Sequence, residues 1–202
     1  MRRFLRDRSA ATAAEFALLL PLVVLFLLGI IDAGRYAWEF NKAEKATQAG
    51  ARYAVVTNMI PTGLANYSFA VSGGINQGTV VPIDKFGGMT CSDNNGTVAC
   101  TCLVQTACAF GTASSDAAFL AVVQRMQLVK RDITRANVVV EYRWSGLGYS
   151  GDPNGPDVAP LVNVRLKDMT LKAFALFGRN VSLPSASYSL TMEDGKGTES
   201  DG

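Results

Sequence analysis

Histidine is absent from the 202 residues, which removes the commonest general base and the commonest zinc ligand. Most hydrolase and metalloenzyme mechanisms lose their usual proton carrier or metal ligand with it. Net charge is nearly absent as well: 19 Lys and Arg stand against 17 Asp and Glu, leaving +2, too little to argue for nucleic acid. Cysteine is missing everywhere except one short stretch that holds Cys91, Cys100, Cys102 and Cys108. No Cys-His, Ser-His or paired-carboxylate arrangement occurs at a recognisable spacing. The sequence therefore supplies no catalytic residue, no metal ligand set and no cofactor motif, and an enzyme acting on a small-molecule substrate is not expected.

Charge is also missing, apart from Glu15, between Ala10 and Ile31, where the chain reads AATAAEFALLLPLVVLFLLGII. A helix needs about 20 such residues to cross a bilayer. A soluble helix apolar on every side would need a larger core than a chain of this length provides. Arg2, Arg3, Arg6 and Arg8 precede the apolar run and favour an N-terminus in the cytoplasm with the rest outside. A secretory signal peptide also begins with arginines, but this run is long for a signal core and no convincing small-x-small cleavage site follows it.

Past the span, Ala33, Tyr36, Ala37, Phe40, Ala43, Thr47, Gly50 and Ala54 keep helical spacing, while Arg35, Glu39, Lys42, Glu44, Lys45 and Arg52 take other faces. Pro61 is the first clear stop. One helix over about residues 11–56, on the order of 70 Å long, is expected. Its apolar stripe consists mostly of small residues, which fit close packing against the chain's own domain or a neighbouring helix. Pro21 reads as a tolerated membrane kink.

Glu15 is costly inside an apolar span unless it is paired or reaches the interface. Its context, Arg8-Ser9-Ala10 followed by Ala11-Thr12-Ala13-Ala14-Glu15-Phe16-Ala17-Leu18, resembles the processing site of type IV-like prepilins, and more closely that of Flp/Tad pilus subunits. The resemblance implies that a prepilin peptidase cuts between Ala10 and Ala11, which makes Glu15 the fifth and Phe16 the sixth residue of the mature chain. Ala10 stands where the family usually has Gly. Cleavage would create a positive amine at Ala11, one helical turn from Glu15 on the same face. Pairing of Glu15 with its own amine or with that of an assembled subunit would set axial register, because an unpaired charge in an apolar bundle is penalised.

The resemblance extends along the outer helix to the TadE/TadG-like minor pseudopilins, carried by Glu15, Phe16, Pro21, Gly29, Asp32, Gly34, Arg35, Asn41, Gly50, Ala51 and Arg52. It covers about a quarter of the chain. It implies an inner-membrane component of the Tad (tight adherence) pilus whose partners are other pilin-like subunits, the assembly platform and the prepilin peptidase. Major pilins of the Flp type are much shorter, so a role other than the bulk of the shaft is implied.

Residues 57–114 are rich in Gly, Asn, Thr and Ser and read as a loop-dominated region with a few short strands. Its cysteines lack a C-x-x-C pair, and outside the cytoplasm two disulfides are expected. Cys100 and Cys102 are too close to bridge comfortably. That leaves Cys91–Cys100 with Cys102–Cys108, or Cys91–Cys102 with Cys100–Cys108; either would stiffen a loop with little apolar material of its own. Asp93-Asn94-Asn95-Gly96 reads as a tight turn rather than a calcium loop. Asn66, Asn95 and Asn180 begin N-x-S/T sequons that carry no weight here.

Ser115 and Asp116 mark a helix start, with Phe119, Val122, Val123, Met126 and Val129 at helical spacing. Residues 138–144, 161–166 and 186–192 read as strands. Phe174, Leu176 and Phe177 are expected to pack under the sheet. The fold expected is α+β, a long N-terminal helix laid on a small antiparallel sheet with one further helix, which is also the plan of pilin-like proteins. The expected organisation is a basic leader over 1–10, cleaved; a transmembrane helix over 11–31; an amphipathic extension over 32–60; an exposed domain over 61–192; and a disordered tail over 193–202. The rival class is a single-pass binding or adhesion protein kept uncut in the membrane.

Overall fold

The computed structural model describes residues 8–192, with side chains described from residue 12. The arginines at positions 2, 3 and 6 and the tail from residue 193 onward lie outside the described residues. Helix α1 runs from Arg8 to Ala54 and contains Pro21. It ends within two residues of the sequence expectation, at a turn seven residues before Pro61. The rest comprises α2 (Thr62–Ala65), α3 (Asp116–Gln127) and seven strands: β1 (Met89–Asn94), β2 (Thr97–Cys102), β3 (Val138–Arg143), β4 (Leu161–Leu166), β5 (Thr170–Lys172), β6 (Asn180–Ser182) and β7 (Ala186–Thr191). The fold is α+β, with a long helix and an antiparallel five-stranded sheet.

Two compact units divide the chain. One joins α1 up to Glu39 with residues 170–183, which form the β5–β6 hairpin; the other joins residues 40–169 with the chain from Pro184 onward.

In the second unit the sheet order is β2-β1-β3-β4-β7. Registers Val138↔Leu166, Val140↔Val164 and Tyr142↔Val162 put six apolar side chains on one face, since directly opposed residues point the same way. All six are buried. The Tyr142 hydroxyl, fully enclosed, accepts from the Ile60 amide at 3.1 Å, and burial pushes its pKa up. The other face mixes the buried Val139 with an ion-paired group: Glu141 pairs with Arg143 at 2.7 Å and with Arg165 at 3.4 Å.

The C-terminal part of α1 buries Ala43, Ala46, Thr47, Gly50, Ala51 and Ala54, a stripe of small side chains within this unit. Gly50 shows why they are small. A Cβ there would stand 2.7 Å from Met126 Cγ on α3 and 3.3 Å from Val164 Cγ1 on β4. The helix backbone thus lies directly against side chains of both elements. The inner part of the expected stripe behaves differently: Ala33 and Ala37 are exposed, and Tyr36 and Phe40 are half-buried.

Helix α3 starts where the sequence marks it, with the Ser115 hydroxyl accepting from the Ala118 amide at 3.2 Å. Residues 57–114 depart from expectation in having their own core. Tyr67, Phe69, Phe86 and Phe110 form a ring cluster with centroids 4.8–6.3 Å apart, and Phe69 and Phe86 are fully buried. The aromatic spacing was too irregular along the chain to register as a period.

Cys91 is paired with Cys100 and Cys102 with Cys108, with Cα atoms 4.1 and 6.0 Å apart. The first is a cross-strand bridge, because Cys91 and Cys100 face each other in the β1–β2 ladder. Asn95 and Gly96, both at positive φ, make the two-residue turn between these strands. Asp93 just before the turn is ion-paired with Arg135, so the turn reading accounts for this acidic stretch. Arg135 also holds Asp116 Oδ1 at 2.5 Å, tying β1, α3 and the 3-10 turn at Arg135–Asn137 together.

Two expectations follow. Gly50→Val forces the helix off Met126 and should cost about 1–3 kcal/mol, read as a lower urea midpoint for the detergent-solubilised protein. The second concerns acid. Arg135 and the Val98 amide hold the Asp116 carboxyl below the usual carboxylate range. Its stabilisation is complete above the unfolded value, about pH 4, and is lost as pH falls below it. The drop in urea midpoint on acidification should shrink in Arg135→Gln.

Candidate membrane and assembly segment

The first unit contains the one helix among the described residues that is long and apolar enough to cross a membrane. None of the residues in its most apolar window is buried. Phe16, Leu18, Leu19, Leu20, Leu22, Val23, Val24, Leu25, Phe26, Leu27, Ile30 and Ile31 all face outward, and water would oppose such a surface strongly. A helix satisfies its backbone hydrogen bonds internally, which lipid requires; Pro21, which has no N–H, interrupts that ladder at one position.

Glu15 and Phe16 lie on this exposed surface, near its start. Ala10 and Ala11 fall within α1, but their side chains are outside the described set. Positions 11 and 15 are therefore one helical turn apart, the spacing that lets side chains of neighbouring turns meet. The four cysteines belong to the other unit.

At the C-terminal end of the apolar surface is a polar junction that sequence reasoning did not assign. Asp32 is buried. Its Oδ1 accepts from Arg35 Nη1 at 3.1 Å, and its Oδ2 accepts from the Ala175 backbone amide at 2.7 Å. Arg35 Nη1 also donates to the Lys172 carbonyl at 3.0 Å, and its guanidinium sits 4.1 Å from the centroid of the Phe174 ring. One acid and one base thus clamp the β5–β6 hairpin to the helix. A charged i,i+3 pair directly after an uninterrupted apolar run is the signal that could have marked the junction, although its partner strands are only three residues each.

The expected packing of Phe174, Leu176 and Phe177 under the sheet is not found. They belong to the turn of this hairpin and are 53, 51 and 91% exposed. The turn closes through Gly178 N–H to Ala173 O at 2.8 Å and Phe177 N–H to Phe174 O at 3.1 Å. Phe177 takes positive φ.

The family model described as TadE-like protein matches residues 10–52. The N-terminal helix is TadE-like. The match covers about a fifth of the chain and contains every residue that carries the TadE/TadG-like resemblance; Arg8 and Ser9 of the processing-site context precede it. No curated protein and no solved structure matches the chain. Asp32 and Arg35 fall inside the TadE-like segment, whereas the hairpin they hold lies outside it.

Because the Ala175 amide has a carboxylate as its acceptor, Asp32→Ala should release the turn. Amide exchange at Ala175 and Gly178 should accelerate several-fold, while amides of β3 and β4 keep their protection.

Proposed function

We propose that the chain is a minor, pilin-like subunit of a Tad-type pilus, anchored in the inner membrane by α1. The observation that carries this reading is the TadE-like match over residues 10–52, coincident with an exposed apolar stretch over 12–31 whose only charge is Glu15. The arginines ahead of the span support an N-terminus in the cytoplasm. The two cysteine pairs of the other unit support an oxidising exterior for the domain.

In this reading the prepilin peptidase cuts between Ala10 and Ala11. The new amine lies one helical turn from Glu15, so the carboxylate has a cationic partner within its own chain or in a subunit already assembled. Glu15 then acts as a register device: a subunit seated one turn too high or low leaves an unpaired charge among lipid-facing side chains. Phe16 beside it supplies apolar contact. The protein's work is assembly or adhesion, with no catalytic residue assigned. Partners are other pilin-like subunits and the assembly platform.

Intact mass and N-terminal sequencing of the protein from host membranes, with and without the prepilin peptidase, test the reading. The expected mature start is Ala11, and only when the peptidase is present. Retention of residue 1 would instead indicate a static membrane-anchored binding protein, and a start beyond Ile31 an ordinary signal peptide. Glu15→Ala should leave the protein inserted but reduce surface piliation severely; normal piliation would remove the register role.

A further inference from the structure

The β5–β6 hairpin is short, yet its turn is Phe174-Ala175-Leu176-Phe177. Three large apolar side chains at an exposed turn are the reverse of ordinary loop chemistry, where polar residues and glycine prevail. Phe177 is an outlier in backbone as well. A bulky residue at positive φ is rare, and here it leaves the ring more exposed than any other large apolar side chain among the described residues. Internal packing does not account for that placement.

Position on the helix supplies an account. The Lys172 carbonyl meets Arg35, and the Ala175 amide meets Asp32. As the chain leaves β5 and enters the turn, it moves from Arg35 to Asp32, one helical turn nearer to the apolar span. Asp32 directly follows Ile30 and Ile31, which are exposed to the same surroundings as the rest of the span. The turn is thus held at the level where the lipid-facing surface ends. An apolar recess of about 240 Å³ between Ala33 and Tyr36 of the helix and Leu171, Leu176 and Val181 of the hairpin continues that surface. Lys172 and Arg179, both exposed, flank the turn.

We infer that the turn Phe174–Phe177 is a second membrane contact, seated in the boundary between headgroups and acyl chains of the outer leaflet beside the exit of α1. Phe174, Leu176 and Phe177 enter the apolar side of the boundary. Lys172, Arg179 and Arg35 lie at its polar side, among the lipid phosphates. The Asp32–Arg35 clamp fixes the depth, because Asp32 can satisfy the Ala175 amide only with the turn at this height. A helix alone is free to rotate and tilt in a bilayer; a second contact off its axis restrains both. The inference rests on the membrane-anchor part of the proposed function, not on cleavage or pilus assembly.

Photocrosslinking separates the two. Phe177 is replaced by p-benzoylphenylalanine, a close analogue at an exposed position, and the full chain is reconstituted in phosphatidylcholine–phosphatidylglycerol bilayers. A second sample carries the same replacement at Leu25, inside the span. Irradiation should add the mass of one phospholipid to the peptide bearing position 177, as it does to the one bearing position 25. Lipid adducts at position 25 with none at 177, or crosslinks from 177 to protein alone, would overturn the inference and leave the anchor intact. Absence of lipid adducts at both positions would overturn the hairpin contact together with the anchor.

Discussion

The constraint on which everything else depends is the solvent that surrounds residues 16–31. Large apolar side chains cover all sides of α1 there, and none of the described residues buries them. Lipid is the medium that accepts such a helix. Once it does, every polar feature nearby becomes meaningful. Glu15 marks one edge, where a carboxylate is tolerated only with a partner or near headgroups. Asp32 and Arg35 mark the other, where they fasten a hairpin.

Much of this was legible in the sequence, because the signals are strong where one physical effect dominates. The apolar run defines the span, and alternation in Leu161–Leu166 defines β4, whose burial alternates in step. The Ser115–Asp116 pair sets the start of α3, where the hydroxyl caps the Ala118 amide. What stayed illegible depends on partners distant in the chain. Met89–Asn94 is a poor strand by composition, yet it pairs on both sides, with β2 and with β3, and is bridged to β2 through Cys91. Strand propensity counts for little against such neighbours. The choice between the two disulfide patterns was likewise closed only by the β1–β2 register.

The misplacement of Phe174, Leu176 and Phe177 has a more instructive cause. Hydrophobic residues in a soluble domain are assumed to point inward, so three of them between strands read as core. That assumption holds only when water is the surrounding phase. Next to a bilayer exit, an exposed phenylalanine and a buried one obey the same rule, because both are leaving water. The sequence contains the residues but not their distance from the span, which the Asp32–Ala175 hydrogen bond supplies.

The two halves of α1 then show how one helix is written for two solvents. In the span the side chains are long and branched, Leu, Val, Ile and Phe, since a fluid hydrocarbon phase adapts to any contour and rewards apolar area. From Ala43 to Ala54 the buried residues shrink to Ala, Thr and Gly, since a folded sheet cannot adapt and rewards close approach instead. Met126 and Val164 already occupy the space a side chain at position 50 would need. The small-residue stripe is therefore consumed inside the chain's own domain. In the proposed assembly a neighbouring subunit would meet the other half of α1, where the large side chains and Glu15 remain uncovered, and a carboxylate at the edge of such a surface would discriminate one axial position from the next.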